Sequence, residues 1–107
     1  MMRLSENQVK QMISALQPFI SPHHAQLKLY GSRVHDHLKG GDIDLLLLTD
    51  NVDTAHLLLE KKHRLLAAMK EKLGDQKIDL LIAAKNDDQK DLFIQMILPQ
   101  SVHLKSF

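Results

Sequence analysis

Residues 28–48 read KLYGSRVHDHLKGGDIDLLLL, and this stretch predicts two strands joined by a polar connection. The first strand ends at Tyr30, the Gly31-Ser32 pair turns the chain, and the second strand opens with Asp42 and Asp44. Side chains alternate along a strand, so we expect both carboxylates on one face. Burying charge is costly unless the charge is paired or binds a metal ion, and Mg²⁺ prefers oxygen ligands. The stretch therefore indicates a divalent-cation site.

A third acid, Asp79, lies in another predicted strand, residues 77–84. If this strand neighbours the second one, three carboxylates meet at one edge of the sheet. Such a cluster repels itself unless cations fill it, and two ions about 3.5–4 Å apart are typical of in-line phosphoryl or nucleotidyl displacement. The Gly-Ser turn suits phosphate, because glycine allows close backbone approach and free N–H groups with a hydroxyl can bind its oxygens.

These three pieces, in this order, resemble the signature of the polymerase-β-like nucleotidyltransferase superfamily. The chain is most similar to its small, single-domain minimal nucleotidyltransferase (MNT) group. The resemblance rests on residues 30–32, 42–44 and 77–81, and with the helices between them it covers most of the chain. It implies a nucleotidyltransferase-like fold and transfer of a nucleoside monophosphate from a nucleoside triphosphate to a hydroxyl.

The resemblance also implies a role for each site residue. Asp42 and Asp44 would bind two Mg²⁺ ions, and Asp79 would ligate the second ion and help to deprotonate the acceptor hydroxyl. These acids are thus the expected metal ligands and catalytic residues. Asp36 stands where many members of the group have glycine, which adds a negative charge near the expected triphosphate. The nucleotide-binding residues would be Gly31, Ser32 and Arg33. Arg33 and Lys77 are also compatible with a solvated surface.

Minimal nucleotidyltransferases of this type are typically paired with a helical HEPN-domain protein. The resemblance therefore implies an antitoxin that adds AMP, taken from ATP, to a HEPN ribonuclease. Two alternatives stay open. One is a non-catalytic module that binds its partner stoichiometrically and carries vestigial acids. The other is a small-molecule nucleotidyltransferase whose acceptor site is completed by homo- or hetero-oligomerisation.

Composition limits the other function classes. The 107 residues predict one domain, residues 1–107. A formal net charge of +1 argues against a dedicated nucleic-acid binder. The chain has no cysteine, signal peptide or membrane span, so we expect a cytoplasmic protein. Seven histidines suggest zinc, but a zinc site needs about four converging ligands at ordered spacing, and none is evident.

The periodicity predicts an α/β (α+β) domain with the element order α-β-α-β-α-β-α around a small mixed three-stranded sheet. Ser5 and Gln8 form a capping-box pattern that starts the first helix. The remaining predicted elements are strands 27–30, 43–49 and 77–84, one long helix 54–73 that stops at Gly74, and a last helix from Asp87-Asp88 to Leu98 with Phe93, Ile94 and Ile97 inward. We predict no strand in the tail that follows.

Overall fold

The computed structural model describes residues 5–20, 25–31, 43–74, 77–85 and 92–107. Within these ranges the chain folds as an α+β domain with four α-helices and four strands. In chain order the elements are α1 Glu6–Leu16, β1 Ala25–Tyr30, β2 Ile43–Thr49, α2 Val52–Glu60, α3 Lys62–Leu73, β3 Ile78–Ala84, α4 Leu92–Ile97 and β4 Val102–Ser106. Short 3₁₀ turns follow α1 and α4.

The four strands form one mixed sheet in the order β3-β2-β1-β4. β1 runs antiparallel to both β2 and β4, whereas β2 and β3 are parallel. β2 spans the predicted residues 43–49 and lies in the interior of the sheet, as its unbroken apolar run indicates. Because of these directions, the end of β1 and the starts of β2 and β3 meet at one edge.

The two faces of the sheet differ in what covers them. We call the first the helix-packed face, because buried leucines at 27, 29, 45, 47 and 80 pack there in the main core with side chains of α1, α2 and α3. The opposite face carries Tyr30, Asp44, Leu46, Asp79 and Leu81, and we call it the acid face. Its apolar part forms a second, smaller cluster with Ile94 of α4.

Two predicted helix ends are confirmed. The Ser5 hydroxyl accepts a hydrogen bond from the backbone N–H of Gln8 at 3.1 Å, and the Gln8 side chain accepts one from the Ser5 N–H at 3.0 Å. Gly74 ends α3 with φ of 84°, and its N–H donates to the carbonyl of Lys70. Both residues satisfy backbone groups that a helix end would otherwise leave unpaired.

The prediction of one long helix over residues 54–73 is wrong. The chain forms α2 and α3, separated at Lys61, whose backbone leaves the helical region at φ −101° and ψ 8°. No glycine or proline marks this position, so local propensity does not explain the break. The two helices have different main neighbours, since α2 packs on β3 and α3 packs on α1. A single straight helix would not satisfy both contacts.

The prediction of a three-stranded sheet is also wrong, because the sheet has four strands. Residues 102–106, for which we predicted no strand, form β4 along the outer side of β1, with a register shift between Leu27 and Lys28. The sequence signal for this strand is short: Val102 and Leu104 alternate with polar residues. Both pack against the main core, and β4 gives β1 a second hydrogen-bonding neighbour.

The described part of the last helix, Leu92–Ile97, is oriented only partly as predicted. Ile94 is buried, but Phe93 is 49% exposed and does not point inward. The predicted cap at Asp87-Asp88 lies outside the described residues, as do the histidines at 23, 24, 35 and 37. In the described part of the chain, no helix is both long and apolar enough to cross a membrane.

Candidate functional site

Three residues form a row across the acid face at the edge where β1 ends and β2 and β3 begin. Tyr30 is the register partner of Asp44 in the antiparallel β1–β2 pair, and Asp44 is the register partner of Asp79 in the parallel β2–β3 pair. Neighbouring strands lie about 4.7–4.9 Å apart. Asp44 therefore lies between a phenol and a second carboxylate, and we call these three residues the acid row.

Asp44 and Asp79 are thus brought together, as predicted from sequence. Like charges directly opposite each other on neighbouring strands destabilise a sheet, so this pair has an electrostatic cost. Asp79 is exposed and Asp44 is half-buried, so the acid row opens to solvent on the β3 side. A bound cation would offset the repulsion from that side.

Gly31 follows the acid row directly and contacts it. Its φ is +80°, a backbone conformation that side chains other than glycine's rarely adopt. A Cβ at this position would collide with the Asp44 carboxylate, whose Cγ would lie 3.2 Å away. The absence of a side chain at residue 31 therefore leaves the space that the carboxylate occupies. This gives the glycine of the Gly-Ser pair a second role, beside the predicted contact with phosphate.

The pKa of Tyr30 depends on burial and also on the charges of both acids. Burial, then the charge of Asp44, then the charge of Asp79 raise the pKa of Tyr30 from its ordinary value of 10.0 to about 12. Its ring packs edge-to-face with Phe93, with centroids 5.9 Å apart, and touches the small cluster around Leu46 and Ile94. The phenol therefore stays neutral in any physiological buffer and adds no third negative charge to the row.

The acid row suits a hard divalent cation. Its donors are carboxylate oxygens, which Mg²⁺ prefers, usually one or two carboxylates together with substrate phosphates. No group of three His, Cys, Asp or Glu side chains in the described ranges is placed to hold a metal ion. The third predicted ligand, Asp42, lies outside those ranges, two positions before Asp44 in the sequence. The described residues thus supply two of the three predicted acids.

The outcome for the predicted site residues follows from these positions. Gly31, Asp44 and Asp79 come together at one edge. The other predicted residues, Asp42, Ser32 and Arg33, lie outside the described residues and stay predictions. Our sequence reading missed Tyr30 as a member of the row. Its position directly before Gly31 at the end of a strand, on a chain with only one tyrosine, was the available signal.

Helix α4, which contacts the acid row through Phe93, has large apolar side chains on its surface. Leu92, Phe93 and Met96 are all large, apolar and exposed, at 73%, 49% and 68%. The helix sequence, LFIQMI, contains no charged residue. Contact between Phe93 and Tyr30 joins this surface to the acid row.

Comparison with known proteins adds no identity to this geometry. No protein-family model matches the chain, and no curated protein matches it. Its function therefore has to be inferred from the acid row and the residues around it.

Proposed function

We propose that this protein is a Mg²⁺-dependent nucleotidyltransferase that moves a nucleoside monophosphate, AMP in the first instance, from a nucleoside triphosphate to a hydroxyl group. The observation that carries the proposal is the acid row itself, in which Asp44 and Asp79 are register partners on parallel strands. Support also comes from Gly31, whose missing side chain accommodates the Asp44 carboxylate.

The proposed reaction is an in-line displacement at the α-phosphorus. The acceptor oxygen forms a bond to that phosphorus, and the bond from phosphorus to the bridging oxygen of the β-phosphate breaks. Pyrophosphate leaves with that electron pair, and the acceptor proton passes to a base. Bound divalent cations supply charge neutralisation on the phosphates and a lowered pKa for the attacking hydroxyl.

The protein's own residues have narrower tasks. Asp44 and Asp79 would hold the cation, and Asp42, which the sequence places two positions earlier, would add a third carboxylate. Asp79, the exposed member of the row, is the candidate to receive the acceptor proton. Tyr30 shields the other side of Asp44 from water, since it is buried and neutral. Ser32 and Arg33, next to Gly31 in the sequence, are the proposed contacts to the triphosphate.

The acceptor belongs to the same proposal. A hydroxyl on a separate protein fits an acid row that opens to solvent on the β3 side, and the resemblance to the MNT group points to a HEPN-domain partner and an antitoxin role. A partner of this kind would present a serine, threonine or tyrosine side chain to the open, β3 side of the row.

The test is label transfer from ATP that carries its label on the α-phosphate, with Mg²⁺, in a lysate of the source organism. The wild-type protein is expected to label a protein band. Asp44→Asn keeps the size of the side chain and removes the charge at the centre of the row, so the band should disappear. Asp53→Asn makes the same change at an exposed position of α2 and should leave the labelling intact.

Each result has a clear meaning. A labelled band that is lost only in Asp44→Asn supports nucleotidyl transfer, and its mass identifies the partner. Absence of transfer from all four nucleoside triphosphates, with folded protein and with small alcohols also offered as acceptors, overturns the proposal. The non-catalytic binding module would then be the better interpretation, and a pull-down would test it.

A further inference from the structure

Helix α4 exposes three large apolar side chains, Leu92, Phe93 and Met96. Water contact with three large apolar side chains is unfavourable, and contiguous apolar patches on a small protein commonly mark binding sites. In this chain, which has only four aromatic residues, Tyr30 and Phe93 contact each other beside the acid row. The patch of Leu92, Phe93 and Met96 therefore lies next to the proposed reaction site.

The acid row and the α4 surface suit different parts of one kind of ligand. The acid row, with a cation, attracts phosphate and offers apolar groups no favourable contact. The α4 surface has no charge to attract phosphate, and its aromatic ring, thioether and aliphatic side chain favour a flat, polarizable, neutral group. A nucleotide has both halves, joined by its ribose.

We propose that the α4 surface around Phe93 binds the base of the nucleotide whose phosphates lie at the acid row. This inference rests on the proposed function and adds the part of the site that contacts the base. Aromatic side chains bind bases mainly by stacking, which tolerates any base because every base has a π-face. The surface would therefore favour nucleotides over inorganic polyphosphate while discriminating weakly among bases.

The test compares two ligands by calorimetric titration in the presence of Mg²⁺. One is an ATP analogue with a methylene group between the α- and β-phosphates, which cannot be cleaved there. The other is inorganic tripolyphosphate, which has the phosphates but no base. Wild-type protein is expected to bind the analogue more tightly than tripolyphosphate.

Phe93→Ala should weaken binding of the analogue by about tenfold, the lower part of the range for loss of a stacked aromatic ring. Its affinity for tripolyphosphate should be unchanged. Phe93→Trp keeps a ring for stacking and should retain the affinity for the analogue. Leu57→Ala removes another exposed apolar side chain, 56% exposed, from α2, and should change neither affinity.

The outcomes separate this inference from the proposed function. If wild-type protein binds neither ligand, the proposed function fails and the inference fails with it. If both ligands bind and Phe93→Ala weakens both or neither, the phosphate site stands and the inference is overturned. Sedimentation provides a further check: a wild-type oligomer that Phe93→Ala dissociates, with analogue binding unaltered, would assign the patch to self-association and also overturn the inference.

Discussion

The two faces of the sheet are built from the same strands and differ in what covers them. On the helix-packed face, Leu45 and Leu47 are fully buried under three helices. On the acid face, the neighbouring positions hold Asp44, which is half-buried, and Leu46, which packs with Ile94 of α4. Alternation along β2 thus places Asp44 on the opposite face from Leu45 and Leu47, at the open start of a strand whose Leu46 is again fully buried. A strand with this arrangement can carry a costly acid pair because its other face supplies the packing.

The largest loss of stability that we expect from the difference between the two faces is at a core residue. Leu47→Ala removes a fully buried side chain from the helix-packed face and should lower the free energy of unfolding by about 3 kcal/mol. Leu81→Ala removes a half-buried side chain from the acid face and should cost clearly less. Urea denaturation of both variants measures the difference. Equal losses would show that the acid face contributes as much packing as its opposite.

The second prediction compares two glycines whose backbone φ angles are nearly the same. Gly31 and Gly74 have φ of +80° and +84°, but a Cβ at residue 74 would meet nothing within 4 Å. Gly74→Ala should therefore show the backbone strain alone, about 1–2 kcal/mol, and keep the stabilisation by Mg²⁺. Gly31→Ala should show a similar strain and also displace the Asp44 carboxylate.

Thermal unfolding with and without Mg²⁺ measures both glycine effects. We expect Mg²⁺ to raise the Tm of wild-type protein, and Gly31→Ala to lose most of that rise. If Gly31→Ala keeps that rise, the contact between residue 31 and Asp44 does not matter for cation binding, and the role given to Gly31 is wrong.

The third prediction concerns pH. Since the pKa of Tyr30 is about 12 in the folded chain and 10.0 ordinarily, the folded state binds the phenol proton more tightly. The stability from this group is complete below pH 10 and is lost as pH rises through 12. Tyr30→Phe should lack this contribution to the pH dependence between pH 10 and 12.

Near-ultraviolet absorbance follows this titration directly, because Tyr30 is the only tyrosine and the chain has no tryptophan. Asp44→Asn should lower the pKa of Tyr30, and Asp79→Asn should lower it less, in the order of their contributions. Burial makes the largest contribution, so neither variant should return the pKa to its ordinary value. A titration that both variants leave unchanged would mean that the row is not electrostatically coupled.

Much of the fold could be predicted from local patterns. The bounds of β2 follow from its unbroken apolar run, the cap at Ser5 from capping chemistry, and the stop at Gly74 from glycine's backbone freedom. The break at Lys61 could not be predicted, because it arises from packing of α2 and α3 against different neighbours. The β4 strand was missed because its two apolar residues, Val102 and Leu104, give a weak signal without β1 beside them.

The candidate site, like the fold, could be predicted from the sequence only in part. That Asp44 and Asp79 meet could be predicted, because both open apolar strands. That Tyr30 completes their row depends on the antiparallel register of β1, which the sequence of one strand does not contain. The exposure of Phe93 likewise depends on how α4 sits over the acid face, which the sequence of the helix alone does not contain.

The parallel pairing of β2 with β3 has a consequence for how the protein folds. The antiparallel partner of β2 precedes it closely in the chain, whereas α2 and α3 separate β2 from β3, and long-range parallel pairing is intrinsically slow. We therefore expect the acid pair to form after the pairing of β1 with β2. We expect the capacity to hold a cation to arise late in folding, and a cation that binds the pair to favour the completed fold by mass action.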